Sequence, residues 1–222
     1  MDWTAFDLSL RLALLTVLLL LPLGVQIGRW LAHAAIPGKG FIEALFALPL
    51  VLPPTVLGYY MLVGFGAASP LGRLWEALFG RGLVFTFEGL AVASVIANLP
   101  FAIQPVQRAF EAIPHEVREA AKVSGLSPLQ AFWRIDLPLA WAGVATAAVL
   151  TFAHTLGEFG VVLMVGGAIP GETRTVSVAI YDRVQSFDNA AAAQMSFVLL
   201  AVSLLALGLT SALSARVGRR AA

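Results

Sequence analysis

Five apolar stretches, each long enough to cross a lipid bilayer, constrain this 222-residue chain more than anything else in it. They run roughly over 8–28, 41–66, 88–108, 138–166 and 194–215. A helix rising 1.5 Å per residue needs about 20 apolar residues to cross the hydrocarbon core. Helices also satisfy every backbone amide within their own segment, which lipid demands. Composition agrees: 59% of the residues are hydrophobic and 12% charged, against about 25% charged in a soluble domain. The expectation is an all-α polytopic membrane protein of about five transmembrane helices, a single domain over 1–222. The first run lacks a basic leader and a small-residue cleavage site, so it is expected to stay in the mature chain.

Charge separates the loops into two sets. Arg29, Lys39, Arg108, Arg118, Lys122, Arg134, Arg216, Arg219 and Arg220 fall on one side, nine in all. Arg73, Arg81, Arg174 and Arg183 make four on the other, with Arg11 left uncounted inside the first run. Basic loops stay in the cytoplasm, which predicts a periplasmic N-terminus and a cytoplasmic C-terminus. Fourteen basic residues against thirteen acidic ones leave no electrostatic footprint for nucleic acid. Cysteine is absent, so disulfides and thiolate metal sites are excluded.

The cytoplasmic loop over about 109–138 interrupts this apolar chain with polar helix signals. Pro114 suits a first helical turn, HEVREAAKVS is amphipathic, and Gly125 can end that helix in a left-handed conformation. Ser127 offers an N-cap and Pro128 a second start, so LQAFWRI reads as a second short helix before Pro138 opens the next span. Val117, Leu126, Leu129, Phe132 and Trp133 are expected to make apolar contacts, and Glu116, Glu119 and Lys122 to face water or a partner. The spacing Glu119-Ala120-Ala121, Gly125, Ile135, Leu137-Pro138 resembles the EAA loop of ABC importer permeases. That resemblance implies a coupling helix that docks on a separate ATP-hydrolysing subunit.

No competing chemistry fits. His115-Glu116 begins an H-E-x-x-H zinc motif, but its fifth position is Glu119. No nucleophile elbow or phosphate-binding loop is present, so the chain is expected to be no enzyme. It is expected to bind no cofactor or metal itself, with ATP and Mg on the partner.

LPLVLPPTVLGYYML (48–62), with Pro49, Pro53 and Pro54, LGEFG (156–160) and IPGETRT (169–175) resemble the molybdate branch of these permeases, close to the sulfate, thiosulfate and tungstate branches. The resemblance runs from about residue 8 to about 215. It implies a type I (MetI-like) importer core in the inner membrane. It further implies a homodimer with the pathway at its two-fold interface, two ATP-binding subunits and a periplasmic molybdate-binding protein. A transported oxyanion must be held weakly, so neutral donors and helix N-termini are the expected lining. Thr55, Ser94, Asn98, Gln104, Thr151 and Thr155 are candidates, although for any one of them a backbone or helix–helix hydrogen bond is the commoner role. Glu158 is expected to cap or pair rather than touch the anion, and His154 to pack. Arg174 and Arg183 mark a candidate periplasmic mouth beside a short amphipathic helix, SVAIYDRV, with Val178, Ile180, Tyr181 and Val184 available for burial. A membrane-embedded enzyme or a proton-coupled carrier remains a reading of another class, and a carrier would show repeats and buried titratable relays.

Overall fold

The structure, a computed structural model, describes residues 1–218, with side-chain surroundings as far as 208. Arg219 and Arg220 lie outside the described residues. Among those described, helices dominate and no strand occurs. Four helical segments are long and apolar enough to cross a membrane, and a bent pair makes a fifth.

Helix α1 (Trp3–His33) starts where the Asp2 carboxylate accepts from the Ala5 N–H at 3.1 Å. At 31 residues it is about 46 Å long, more than a bilayer core needs. Near its N-terminal end Arg11 pairs with Asp7 at 2.8 Å, both exposed. Arg11 lies within the first apolar run, as read from the sequence. It shares a cavity with Arg81, Glu88 and Glu172. One stripe of α1 packs against α6 (Leu99–Glu111). There Gly24 and Gly28 allow close approach, since a Cβ on either would stand about 3.0 Å from α6 backbone atoms. Small residues four apart are a standard membrane contact, because lipid supplies no hydrophobic drive between helices.

The second apolar run is not one straight span. It forms α2 (Lys39–Val51) and α3 (Pro54–Phe65), bent by 107° at Leu52-Pro53. Pro53 sits at the N-cap of α3 and Pro54 at its first turn, positions where a missing N–H removes nothing from the ladder. A short helix α4 (Pro70–Phe79) follows, capped by Ser69, whose hydroxyl accepts from the Gly72 N–H at 2.8 Å. The third run is α5 (Phe87–Ala97) followed by α6, with Asn98 between them, and it spans as one unit.

The polar loop departs from expectation at its far end. Helix α7 (His115–Val123) forms with Pro114 at its N-cap, but the segment after the turn is not a separate surface helix. Helix α8 (Pro128–Ala131) runs through a π-helical turn, Phe132–Asp136, into α9 (Leu137–Gly157). Together they make a 30-residue span from the loop upward. The Leu137 N–H reaches back to the Phe132 carbonyl. That wider turn admits Pro138 without a break.

The fourth run is also shorter than read. Its helix ends at Gly157, Glu158 turns extended, and 160–166 form a separate helix α10 (Gly160–Gly166) packed on α3 and α5. Helix α11 (Val176–Gln185) and the last span, α12 (Asn189–Gly218), complete the chain. Their junction with α1 is apolar: Ala5, Val176, Ala179 and Met195 are buried together. Polar contacts then gather at two ends. Asp2 meets Arg174 at one, while Arg29, Lys39, Glu111, Arg118 and Asp136 pair at the other. This is the division that the loop charges predict.

Candidate functional site

The polar loop is built on Gly125, which takes φ +74°. The Leu126 N–H bonds the Ala121 carbonyl at 3.2 Å and the Gly125 N–H bonds Lys122 at 3.0 Å. These two bonds close α7 as a Schellman motif. Beyond the turn, Ser127 and Gln130 form a reciprocal capping box, at 2.9 and 3.3 Å. Helix α7 thus has a defined pitch relative to the strut α8–α9. Its outer face carries Glu119, Ala120 and Val123, the last 89% exposed, whereas Ala121 is buried against the bundle. Ile135 and Leu137 are half-buried along the π turn, and Pro138 is exposed. Val117 and Phe132 pack against Phe110 and Val144 as expected. Leu129 and Trp133 are instead exposed.

Sequence reasoning missed what holds this loop to the bundle. Asp136, 5% exposed, lies 3.3 Å from Arg29 of α1 and 3.8 Å from Arg118 of α7. Arg118 also donates to the Phe110 carbonyl at 3.0 Å, and Arg29 lies 4.8 Å over the Phe132 ring. Burial pushes the Arg118 guanidinium below its usual value and Asp136 opposes that, so the group stays charged. Asp136 carried one signal, an acid two residues before the proline that heads a span. Its partners are 107 and 18 residues away and carried none.

At the other end of α9, Asn98 donates to the Ser94 carbonyl at 2.8 Å, and its Oδ1 lies 3.1 Å from His154 Nδ1. His154 stacks on Phe101 at 4.2 Å, the packing role read for it. Thr155 donates to the Thr151 carbonyl at 2.8 Å. Ser94, Asn98, Thr151 and Thr155 are thus enclosed by helix packing and do not line open space in this conformation. Thr55 and Gln104 are exposed. Gln104 edges a cavity of about 260 Å³ beside Glu43. Thr55 opens on a larger cavity of about 550 Å³, with Pro54, His154, Gly157 and Glu158, where the first turns of α3 and α10 converge. Glu158 accepts from the Val161 N–H at 3.2 Å, capping α10 through one oxygen, while its other oxygen lies 3.6 Å from His154.

The remaining motif, IPGETRT, is a knot. Thr173 donates to the Gly166 carbonyl at 2.6 Å and accepts from Ile169, closing the turn between α10 and α11. Ser9 of α1 receives the Val176 N–H at 2.8 Å. Arg174 is not a free cation, for it binds Asp2 at 2.7 Å, and Arg183 pairs with Asp188 at 3.4 Å. In α11, Val176, Val178 and Ala179 are buried, while Tyr181 and Val184 remain exposed and Ile180 is half-buried.

A bundle of apolar spans, one of them sharply bent, with an ordered polar loop at one end, is the frame of a polytopic membrane protein. The chain belongs to the family of binding-protein-dependent transport system inner membrane components, whose model matches residues 10–219. It is 52% identical over 191 residues, 86% of this chain and 84% of the other, to the molybdenum transport system permease protein ModB of Azotobacter vinelandii. It is 35% identical to the sulfate transport system permease protein CysT of Escherichia coli K12, covering 83% of this chain and 66% of that one. Its fold matches the crystal structure of a bacterial ABC transporter for alginate import with a TM-score of 0.78 at 17% identity, over 96% of this chain and 78% of that one.

Proposed function

We propose that the chain is the membrane subunit of an ATP-driven molybdate importer, working as a homodimer with two ATP-binding subunits and a periplasmic molybdate-binding protein. The observation that carries this is the loop itself, on a chain 52% identical to a molybdenum permease. Glu119, Ala120 and Val123 form an outward face, and the Gly125 turn fixes that face on the continuous strut α8–α9. No phosphate-binding loop lies in the sequence, so ATP and Mg belong to the partner that this face engages. Displacement of α7 is carried by α8–α9 to the Thr55 cavity, where α9 ends. There the lining includes the Thr55 hydroxyl, glycine backbone and the first turns of α3 and α10, together with His154 and the Glu158 carboxylate 3.6 Å from it, a mixed set that does not hold an anion tightly.

The test is uptake of radiolabelled molybdate by proteoliposomes holding the chain with its ATPase and binding protein. Molybdate should accumulate with ATP, tungstate should compete, and equimolar sulfate should not. Sulfate accumulation without molybdate uptake would assign the chain to the sulfate branch instead.

A further inference from the structure

The Arg29–Asp136–Arg118 cluster leaves a charge unbalanced. Two guanidinium groups face one carboxylate; Arg29 Nε is buried with no hydrogen-bond partner, and Arg118 Nε has only the Asp136 carboxylate, 3.8 Å away. Buried polar groups are nearly always satisfied, and an orphaned cationic donor signals an absent ion or water. The cluster borders a cavity of about 390 Å³ whose other titratable walls are His33, His115 and Lys122. Asp136 is its one acidic wall, and Glu119, 3.5 Å from His115, stands at its edge. The space is therefore cationic.

A second cavity, about 780 Å³, shares Arg29 and His33 with the first. Its walls are Trp30, Leu129, Phe132 and Trp133, with Gln26 the one further polar side chain. Trp30 and Trp133 are 48% and 60% exposed, at the end of α1 and the start of α8–α9. Tryptophan at such a level marks the membrane interface. A cationic chamber opening into an apolar groove at that level fits one molecule: an anionic phospholipid.

We propose that an anionic phospholipid of the inner leaflet binds here, its phosphodiester against Arg29 and Arg118 and an acyl chain along Trp30, Phe132 and Trp133. Basic pockets between helices on the cytoplasmic side select anionic headgroups by this chemistry. The lipid would tie the coupling helix α7 to α1 and α9 by bridging Arg118 to Arg29. The site rests on the cytoplasmic placement of the loop, which reporter fusions test independently.

The experiment uses the full chain, assembled with its ATPase subunit, in nanodiscs of phosphatidylcholine. Phosphatidylglycerol with brominated acyl chains is titrated in, and tryptophan quenching is compared with that by brominated phosphatidylcholine. Trp30 and Trp133 are two of five tryptophans, and their separate replacement by Phe isolates the local signal. Phosphatidylglycerol should be preferred, and Arg29→Gln should weaken that preference about fivefold, the equivalent of the ~1 kcal/mol that a basic side chain gains at an anionic surface. Asp136→Asn is the discriminating variant and does not depend on Arg29→Gln folding. Removing the acid should strengthen the preference if the cluster exists to hold an anion. Equal quenching by the two lipids, or a weaker preference in Asp136→Asn, would overturn the site. Relief of quenching by millimolar inorganic phosphate, beyond that by chloride of equal ionic strength, would show a solution anion as occupant and overturn the lipid.

Discussion

Gly125 stands in the left-handed region at φ +74°, with nothing within 4 Å of where a Cβ would lie. Space is therefore free there, and only the backbone objects. A β-branched side chain in that conformation costs about 1–3 kcal/mol, enough to reopen the Schellman turn. Gly125→Val is expected to insert in the membrane at normal abundance yet to lose ATPase assembly and molybdate uptake. Gly125→Asn, which tolerates the region better, should keep a substantial part of both. Wild-type uptake by Gly125→Val would remove the loop from the coupling path. Arg174 gives a contrasting expectation. Its bond to Asp2 is a part-buried, charge-assisted one of about 1.5–3 kcal/mol. Arg174→Gln and Asp2→Asn should each lower the thermal inactivation temperature by several degrees, and the double variant no further than either alone. Loss of uptake only at low salt, with stability unchanged, would instead show Arg174 acting on the approaching anion. Gly125 was legible because a helix stop followed by Ser-Pro has a local cause. The pairing of Asp136 with Arg29 was not, because nothing local joins residues 107 apart.

At the scale of elements, the packing of α1 on α6 is the most testable feature. A Cβ at Gly28 would stand 2.9 Å from the Val106 side chain and 3.0 Å from the Gln107 nitrogen, so a larger side chain must separate the two helices. Gly28→Leu is expected to abolish folded protein in detergent, judged by size-exclusion recovery. Leu18→Ala, on the same helix but 70% exposed, should leave recovery unchanged. The five apolar runs were readable because lipid demands length and apolarity, which are local properties. Their interruptions were not. Pro22 and Pro105 lie inside unbroken helices, Pro138 is absorbed by a π turn, and Pro53-Pro54 coincides with a bend of 107°. Tertiary support decides which freed carbonyls find partners, so a proline alone announces a strain but not its outcome. The end of the fourth helix at Gly157 depended likewise on Glu158 reaching the Val161 N–H.

Across the whole molecule, charge and fold agree on two unlike ends. One end gathers Asp2, Asp7, Arg11, Arg81, Glu88, Glu172 and Arg174. The other gathers Arg29, Lys39, Arg108, Arg118 and Lys122 around the loop. Arg11 lines the cavity at the first end, and counting it there changes the bias in basic residues from nine against four to nine against five, since four plus Arg11 is five. The majority is unaltered, and we propose on that bias that the loop end faces the cytoplasm. Helix α12 starts beside α1 and α11 at the sparser end and runs 30 residues away from it, long enough to cross. With the bent pair α2–α3 counted as one crossing, we propose an odd number of crossings. A phosphatase fused after residue 222 should therefore be inactive and a fluorescent protein there bright, whereas a phosphatase placed before residue 1 on an exported leader should be active. Phosphatase activity from the C-terminal fusion would invert the molecule. It would put the α7 face beyond the reach of any ATP-hydrolysing partner, and the importer reading would fail with it.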